Sequence, residues 1–108
     1  MATHRVELRE RAATDIESAA DHYLSEGGEA LALRFIGAVE TAIGQIAHSP
    51  FVGSLRFSYE LGIPELRARS LNRFPYLVFY VSHDDRLDIW RVLHTSRDIP
   101  ASLTDQTT

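Results

Sequence analysis

The stretch PYLVFYVS, residues 75–82, constrains the fold more than any other part of the chain. Successive side chains of a strand point to opposite faces, so Leu77, Phe79 and Val81 share one face while Tyr76, Val78 and Tyr80 share the other. Both sets are apolar or aromatic, and a strand of this kind needs cover on each side. The run RLDIWRVLH, residues 86–94, repeats the pattern. Regular alternation puts Leu87, Ile89 and Leu93 on one side of it, with Trp90 and Val92 on the other. His83-Asp84-Asp85 between the two runs has the length and composition of a hairpin connection.

The layers available to cover such a sheet are few. VEL at 6–8, flanked by Arg5 and Arg9, alternates as a short strand with Val6 and Leu8 inward. From Glu10 the period becomes helical: Ala12, Ile16, Ala19, Ala20, Tyr23 and Leu24 fall on one side, Asp15, Glu17 and Asp21 on the other, until Gly27-Gly28. A longer helix follows, in which Ala32, Phe35, Ile36, Val39, Ile43, Ile46 and Ala47 step by threes and fours to Ser49-Pro50, with Leu31, Ala38 and Ala42 widening the stripe. The two-glycine break makes the pair an antiparallel helical hairpin. PFVGSLRFSYELGIPE at 50–65, with two prolines and two glycines, reads as a loop with room for a local turn, and LRARSL at 66–71 as a further strand. Asp98 is placed to cap one turn of helix with Pro100 in its first turn, and residues 104–108 are expected to be a disordered tail.

The order is β-α-α-β-β-β: an α+β domain with the helical hairpin packed on one face of a small, mainly antiparallel sheet. One hairpin covers one face. The expectation for the other is a partner chain, because the alternative cover, the 50–65 segment or the tail, holds few bulky apolar residues beyond Phe51, Phe57 and Tyr59.

Composition excludes several chemistries. There is no cysteine, hence no disulfide framework, thiolate metal site or cysteine nucleophile. The first residues lack the apolar core of a secretory signal, and the longest purely apolar run, YLVFYV, is far too short to span a bilayer, so the chain reads as cytoplasmic with no membrane partner. A net charge of -4 argues against binding nucleic acid by bulk electrostatics, and no direct sequence-specific nucleic-acid binding is expected. The charge is uneven: residues 1–55 carry four arginines against eight carboxylates, residues 56–97 seven against five. All eleven cations are arginine, which forks onto carboxylate or phosphate but is a poor proton shuttle.

Phosphate-loop, dinucleotide, nucleophile-elbow and zinc-protease motifs are absent. His4, His22, His48, His83 and His94 share no metal-ligand spacing, and His22 with Glu26 is too weak a pair, so neither a metal nor another cofactor is expected. Arg67, Arg69 and Arg73 share one face of a regular strand, and Arg91 is able to join them. That grouping reads equally as an anion-recognition strip or as a cross-strand ladder with Glu65 or Asp88. An RNA-cleaving centre needs a base, a cation and an acid that converge. His94 with Arg91 or Arg97 supplies part of one, and no third member is evident. No catalytic residue is assigned, and His94 reads as a strand-end residue hydrogen-bonded to the turn.

One set of residues does carry a family likeness. Ala12, Asp15, Ile16 and Tyr23, Phe35, Pro50 and Gly53, Leu66-Arg67, FPYLVFY at 74–80 and RVLHTSRD at 91–98 together resemble the ParE branch of the RelE/ParE toxins of bacterial toxin-antitoxin pairs. The likeness runs from about residue 5 to residue 103, and its specific parts are the aromatic-Pro-Tyr start of the third strand and the Arg-Val-Leu-His-x-x-Arg-Asp ending. It implies a single toxin domain over 1–103 that binds the A subunit of DNA gyrase and traps cleaved DNA without being an enzyme. It also implies a hetero-oligomer with a neutralising ParD-like antitoxin. Under this resemblance Arg91, Arg97 and Asp98 form an organising cluster, with Arg67, Tyr76, Tyr80, Trp90 and His94 as partner-binding or organising residues. The alternative is the RelE branch, a ribosome-dependent messenger endoribonuclease, for which His94, Arg91 and Arg97 would be the catalytic candidates.

Overall fold

The computed structural model describes residues 5–107, with side chains described from 5 to 103. The elements are β1 (Arg5–Leu8), α1 (Glu10–His48), α2 (Arg56–Leu61), β2 (Arg67–Ser70), β3 (Tyr76–Ser82), β4 (Arg86–His94) and α3 (Ile99–Thr107). They form one four-stranded sheet of order β1-β4-β3-β2, antiparallel except for the parallel β1–β4 edge.

The backbone of α1 is non-helical at Gly28, with φ 84° and ψ -177°. A side chain resists that φ, so glycine marks the bend. A straight helix of its 39 residues would be about 58 Å long, yet the molecule's greatest extent is 38 Å. Tyr23 and Phe35, which would lie about 18 Å apart along one straight helix, have ring centroids 5.2 Å apart. The two arms therefore fold back as the expected hairpin. By length and composition alone α1 passes for a membrane span, but its apolar stripe is packed on the sheet.

The hairpin face holds Phe35, Val39 and Ile46 against Tyr76, Val78 and Tyr80 of β3 and Leu87, Ile89 and Val92 of β4. Aromatic edges lock its upper end: Phe35 meets Phe74 at 5.4 Å and Tyr76 at 5.2 Å. Val6 and Leu8 do not join this core, contrary to the inward placement read from their alternation. They are 37% and 41% exposed, because β1 lies at the sheet's edge and the hairpin sits over β3 and β4.

The opposite face corrects a larger expectation. It is sealed by the chain itself: Phe57 of α2, Leu66, and Ile99 and Leu103 of α3 pack with Phe79, Val81 and Leu93. Residues 50–65 thus contain a helix where a loop was expected, and α3 runs for nine residues rather than one turn. The inference that an aromatic face stands open for a partner fails, because three large apolar side chains on two short helices suffice to close it. The alternation of β4 is corrected too. Phe79 pairs with Arg91 and Tyr80 with Ile89, leaving Trp90 as a bulge. One extra residue inverts everything downstream, so Val92 joins the hairpin core while Leu93 joins the other. The disordered tail expected at 104–108 falls on residues outside the described side chains, and only the backbone of α3 as far as Thr107 is described.

Candidate functional site

The stretch RVLHTSRD begins within β4 and ends just before α3, and its polar residues have distinct environments. Arg91 is buried. Its guanidinium forks onto Asp15, with Nε 2.7 Å from Oδ2 and Nη2 2.8 Å from Oδ1, and Nη1 donates to the Ser102 carbonyl at 3.1 Å. Asp15 Oδ2 also accepts from the Val92 amide at 3.0 Å. The two side chains are only 7% and 8% exposed. One ion pair therefore joins α1, β4 and α3, with the bidentate geometry that makes such a pair strong. Asp15 was expected on the solvent side of the first helix. The signal against that was its spacing: Ala12, Asp15, Ile16 and Ala19 step by three, four and seven, which places Asp15 on the apolar stripe itself.

His94 ends β4. Its Nδ1 accepts from the Ser96 amide at 3.0 Å and lies 2.8 Å from Ser96 Oγ. An amide is always a donor, so the neutral ring carries its proton on Nε2. The ring also packs edge-on to Tyr76 with centroids 5.1 Å apart. Arg97 is exposed. Asp98 caps α3, its Oδ1 accepting from the Ala101 amide at 3.2 Å. A cleft at this end is lined by His22, Tyr76, His94 and Arg97. His22 comes from the hairpin and was not singled out with the others, because nothing in sequence spacing links residue 22 to residue 94. Burial, and then the neighbouring Tyr23 hydroxyl, push the Tyr76 phenol above its ordinary 10.0.

At the other end of the sheet, Tyr80 and Arg67 organise the chain after α1. Tyr80 is fully buried. Its hydroxyl donates to the Pro50 carbonyl at 2.7 Å and accepts from the Gly53 amide at 2.9 Å. A Cβ on Gly53 would lie 2.7 Å from that hydroxyl, so the close approach requires glycine. Arg67 Nη1 donates to the Gly53 and Phe51 carbonyls at 2.8 and 3.1 Å, with Phe51 stacked 5.0 Å from the guanidinium. Burial raises the Tyr80 pKa, while the Gly53 amide and the Arg67 and Arg69 charges draw it back. Trp90 is half-buried on the outer face. Its indole donates to Asp88 Oδ2 at 3.1 Å, and Arg9 both forks onto Asp88, at 3.0 and 2.8 Å, and lies 4.3 Å over the indole ring.

The arginines do not assemble as one strip. Arg67 is committed to loop carbonyls, Arg91 to Asp15, and Arg73 lies past the end of β2 with φ 71°. Nor do they form the ladder with Glu65 or Asp88 among the described residues, since Asp88 pairs with Arg9 and Glu65 lies before β2 with φ 63°. Among the described residues, no three histidine, aspartate or glutamate side chains group as a metal site.

Comparison with known proteins adds a family and a fold. Residues 6–99 match the family model described as the ParE toxin of the type II toxin-antitoxin system, parDE. A solved chain from "Chromosomal ParDE TA system from P. aeruginosa" superposes with a TM-score of 0.71 at 21% identity, over 85% of this chain and 96% of that one. At that identity the likeness is one of fold. No curated protein sequence matches.

Proposed function

Starting from the fact that the chain belongs to the ParE family of type II toxin-antitoxin toxins, we propose that it acts by binding rather than by catalysis, as a single domain over residues 1–103. Its target in this reading is DNA gyrase, engaged through the A subunit in the cytoplasm, and a ParD-like antitoxin neutralises it in a hetero-oligomer. The observation that carries the non-enzymatic reading is the commitment of Arg91. Its guanidinium is buried in a fork with Asp15 and holds the Ser102 carbonyl, so it is a structural tie and not a free clamp for a transition state. The antitoxin rests on family membership and not on an open apolar face, which the chain closes for itself.

The test is a supercoiling assay with purified gyrase. Addition of the protein is expected to block supercoiling and accumulate cleaved DNA, and no effect at large excess over gyrase sinks the reading. Co-expression with a ParD-like antitoxin, to be sought in a short reading frame beside the gene, is expected to relieve growth arrest and to yield a complex.

A ribonuclease reading has one observation in its favour, the cleft where His22, Tyr76, His94 and Arg97 converge. It requires ribosome-dependent cleavage of messenger RNA that His94→Ala abolishes. Intact transcripts in a translating extract remove it.

A further inference from the structure

Independently of the target and of the antitoxin, we infer that β1 is a self-association edge: two copies of this chain pair antiparallel along it about a two-fold axis at Val6, joining their four-stranded sheets into one of eight strands.

The backbone of β1 is bonded on one side only. It is the last strand of the sheet and pairs with β4 from Arg5 opposite Arg86 to Leu8 opposite Ile89. The Arg9 amide donates to the Ile89 carbonyl at 3.0 Å, which identifies Arg5, Glu7 and Arg9 as the residues whose amides and carbonyls face β4. The backbone groups of Val6 and Leu8 therefore point out of the sheet, and among the described residues no other backbone group meets them. Their side chains are exposed on the hairpin face, since Val6 stands beside the buried Leu87. Arg5 and Glu7 lie on the outer face.

Charge selects what fits there. Arg5 and Glu7 meet at 3.2 Å with side chains 64% and 51% exposed, and Glu7 also reaches Arg86 at 3.0 Å. Charges on an edge strand ordinarily keep a second copy away, but these two have opposite signs on either side of Val6. With the axis at Val6, the Val6 residues of the two copies form a hydrogen-bonded pair. Arg5 of each copy then stands opposite Glu7 of the other, at the closer, non-hydrogen-bonded positions. An axis at Glu7 instead sets Glu7 against Glu7 and Arg5 against Arg9, like against like. An axis between two residues turns outward groups toward inward ones and makes no ladder. One at Leu8 runs the ladder into α1, which begins at Glu10. A single register survives.

Other occupants fit less well. A nucleic acid would meet the Glu7 carboxylate, and an unrelated extended peptide would have to carry the same Arg-x-Glu spacing. The strand is four residues long, so the contact belongs to the small, weak and concentration-dependent class.

Sedimentation of the purified protein from about 1 μM to about 1 mM is expected to show a monomer–dimer equilibrium. Arg5→Glu and Glu7→Arg, both at exposed positions, each set like charges opposite one another and are each expected to weaken the dimer about tenfold or more. In an equimolar mixture of the two variants every facing pair is again opposite in sign, and the mixture is expected to dimerise within a few-fold of wild type. The chain has no cysteine, so single introduced thiols report the register. Val6→Cys brings its two Cα atoms about 5.5 Å apart, within disulfide reach. Leu8→Cys, at a similarly exposed position, leaves its two copies about 14 Å out of step along the strands. Val6→Cys is expected to oxidise to a covalent dimer at least about tenfold faster than Leu8→Cys. A wild type that stays monomeric throughout the range leaves the edge to some other chain and overturns the inference. Equal oxidation rates for the two cysteines overturn it as well, as does a mixture no more associated than its components.

Discussion

The two faces of the sheet are closed by different kinds of chain. The hairpin face is covered by two long arms whose apolar residues recur through some ten turns, ending in the ring cluster of Tyr23, Phe35, Phe74 and Tyr76. The outer face is covered by α2, six residues long with Phe57 its one buried side chain, and by α3, which contributes Ile99 and Leu103. Periodicity is readable only when an element spans several turns. A short helix anchors itself with one or two large side chains, and Phe57 against Phe79, edge-on at 5.2 Å, does what a whole stripe does on the other side. Counting apolar residues in a segment therefore underestimates the area it is able to cover.

Substitutions on both faces sharpen the contrast. If both faces are true cores, Phe35→Ala and Phe79→Ala, both fully buried, each lose about 3–5 kcal/mol of stability in urea unfolding. A loss for Phe79→Ala much below that of Phe35→Ala breaks the equivalence. Asp15→Ala strips the partner from the buried Arg91 guanidinium that joins the hairpin to α3, and an uncompensated buried charge costs about 3 kcal/mol or more. Asp15→Ala with Arg91→Met is expected to recover much of it, and failure to do so would mean the arginine acts through its other contacts.

Tyr80→Phe orphans the Gly53 amide and the Pro50 carbonyl, for an expected loss of about 1–3 kcal/mol confined to the hairpin side. The same residue has a pH signature. Burial raises the folded-state pKa of Tyr80 and Tyr76 above the ordinary 10.0. Their contribution is then fully present below that pH and is lost as the pH rises through the folded values. Alkaline unfolding should begin at higher pH in Tyr80→Phe than in the wild type once the difference in neutral stability is subtracted. An unchanged alkaline profile contradicts the assignment. The smallest effect belongs to the outer face: Asp98→Ala removes the α3 cap and is expected to cost about 1 kcal/mol by thermal denaturation.

What was legible in the sequence follows the same division. The hairpin, the three antiparallel strands and the break at Gly28 were readable because each repeats a pattern over many residues. The bulge at Trp90 has no such trace, since RLDIWRVLH alternates as well without it, and one skipped pairing decides which core Val92 and Leu93 enter. Within the site, Asp98 was recognisable as a cap from its place before Ile99-Pro100. The Arg91–Asp15 tie was not, because its partners are 76 residues apart and the acid was assigned to the wet side of its helix. Tyr80 is one of the partner-binding or organising residues of the family likeness, and nothing in a sequence shows that its hydroxyl will find Pro50 and Gly53.

The position of α3 in the chain has a consequence for biosynthesis. Ile99 and Leu103 follow in the chain every strand they cover, so Leu93 and the part of Phe79 that Phe57 does not reach wait for a helix made after them. A polypeptide cut before residue 99 would keep the residues of its hairpin core and leave a greasy patch around Leu93 on the opposite face, a surface for chaperones and proteases.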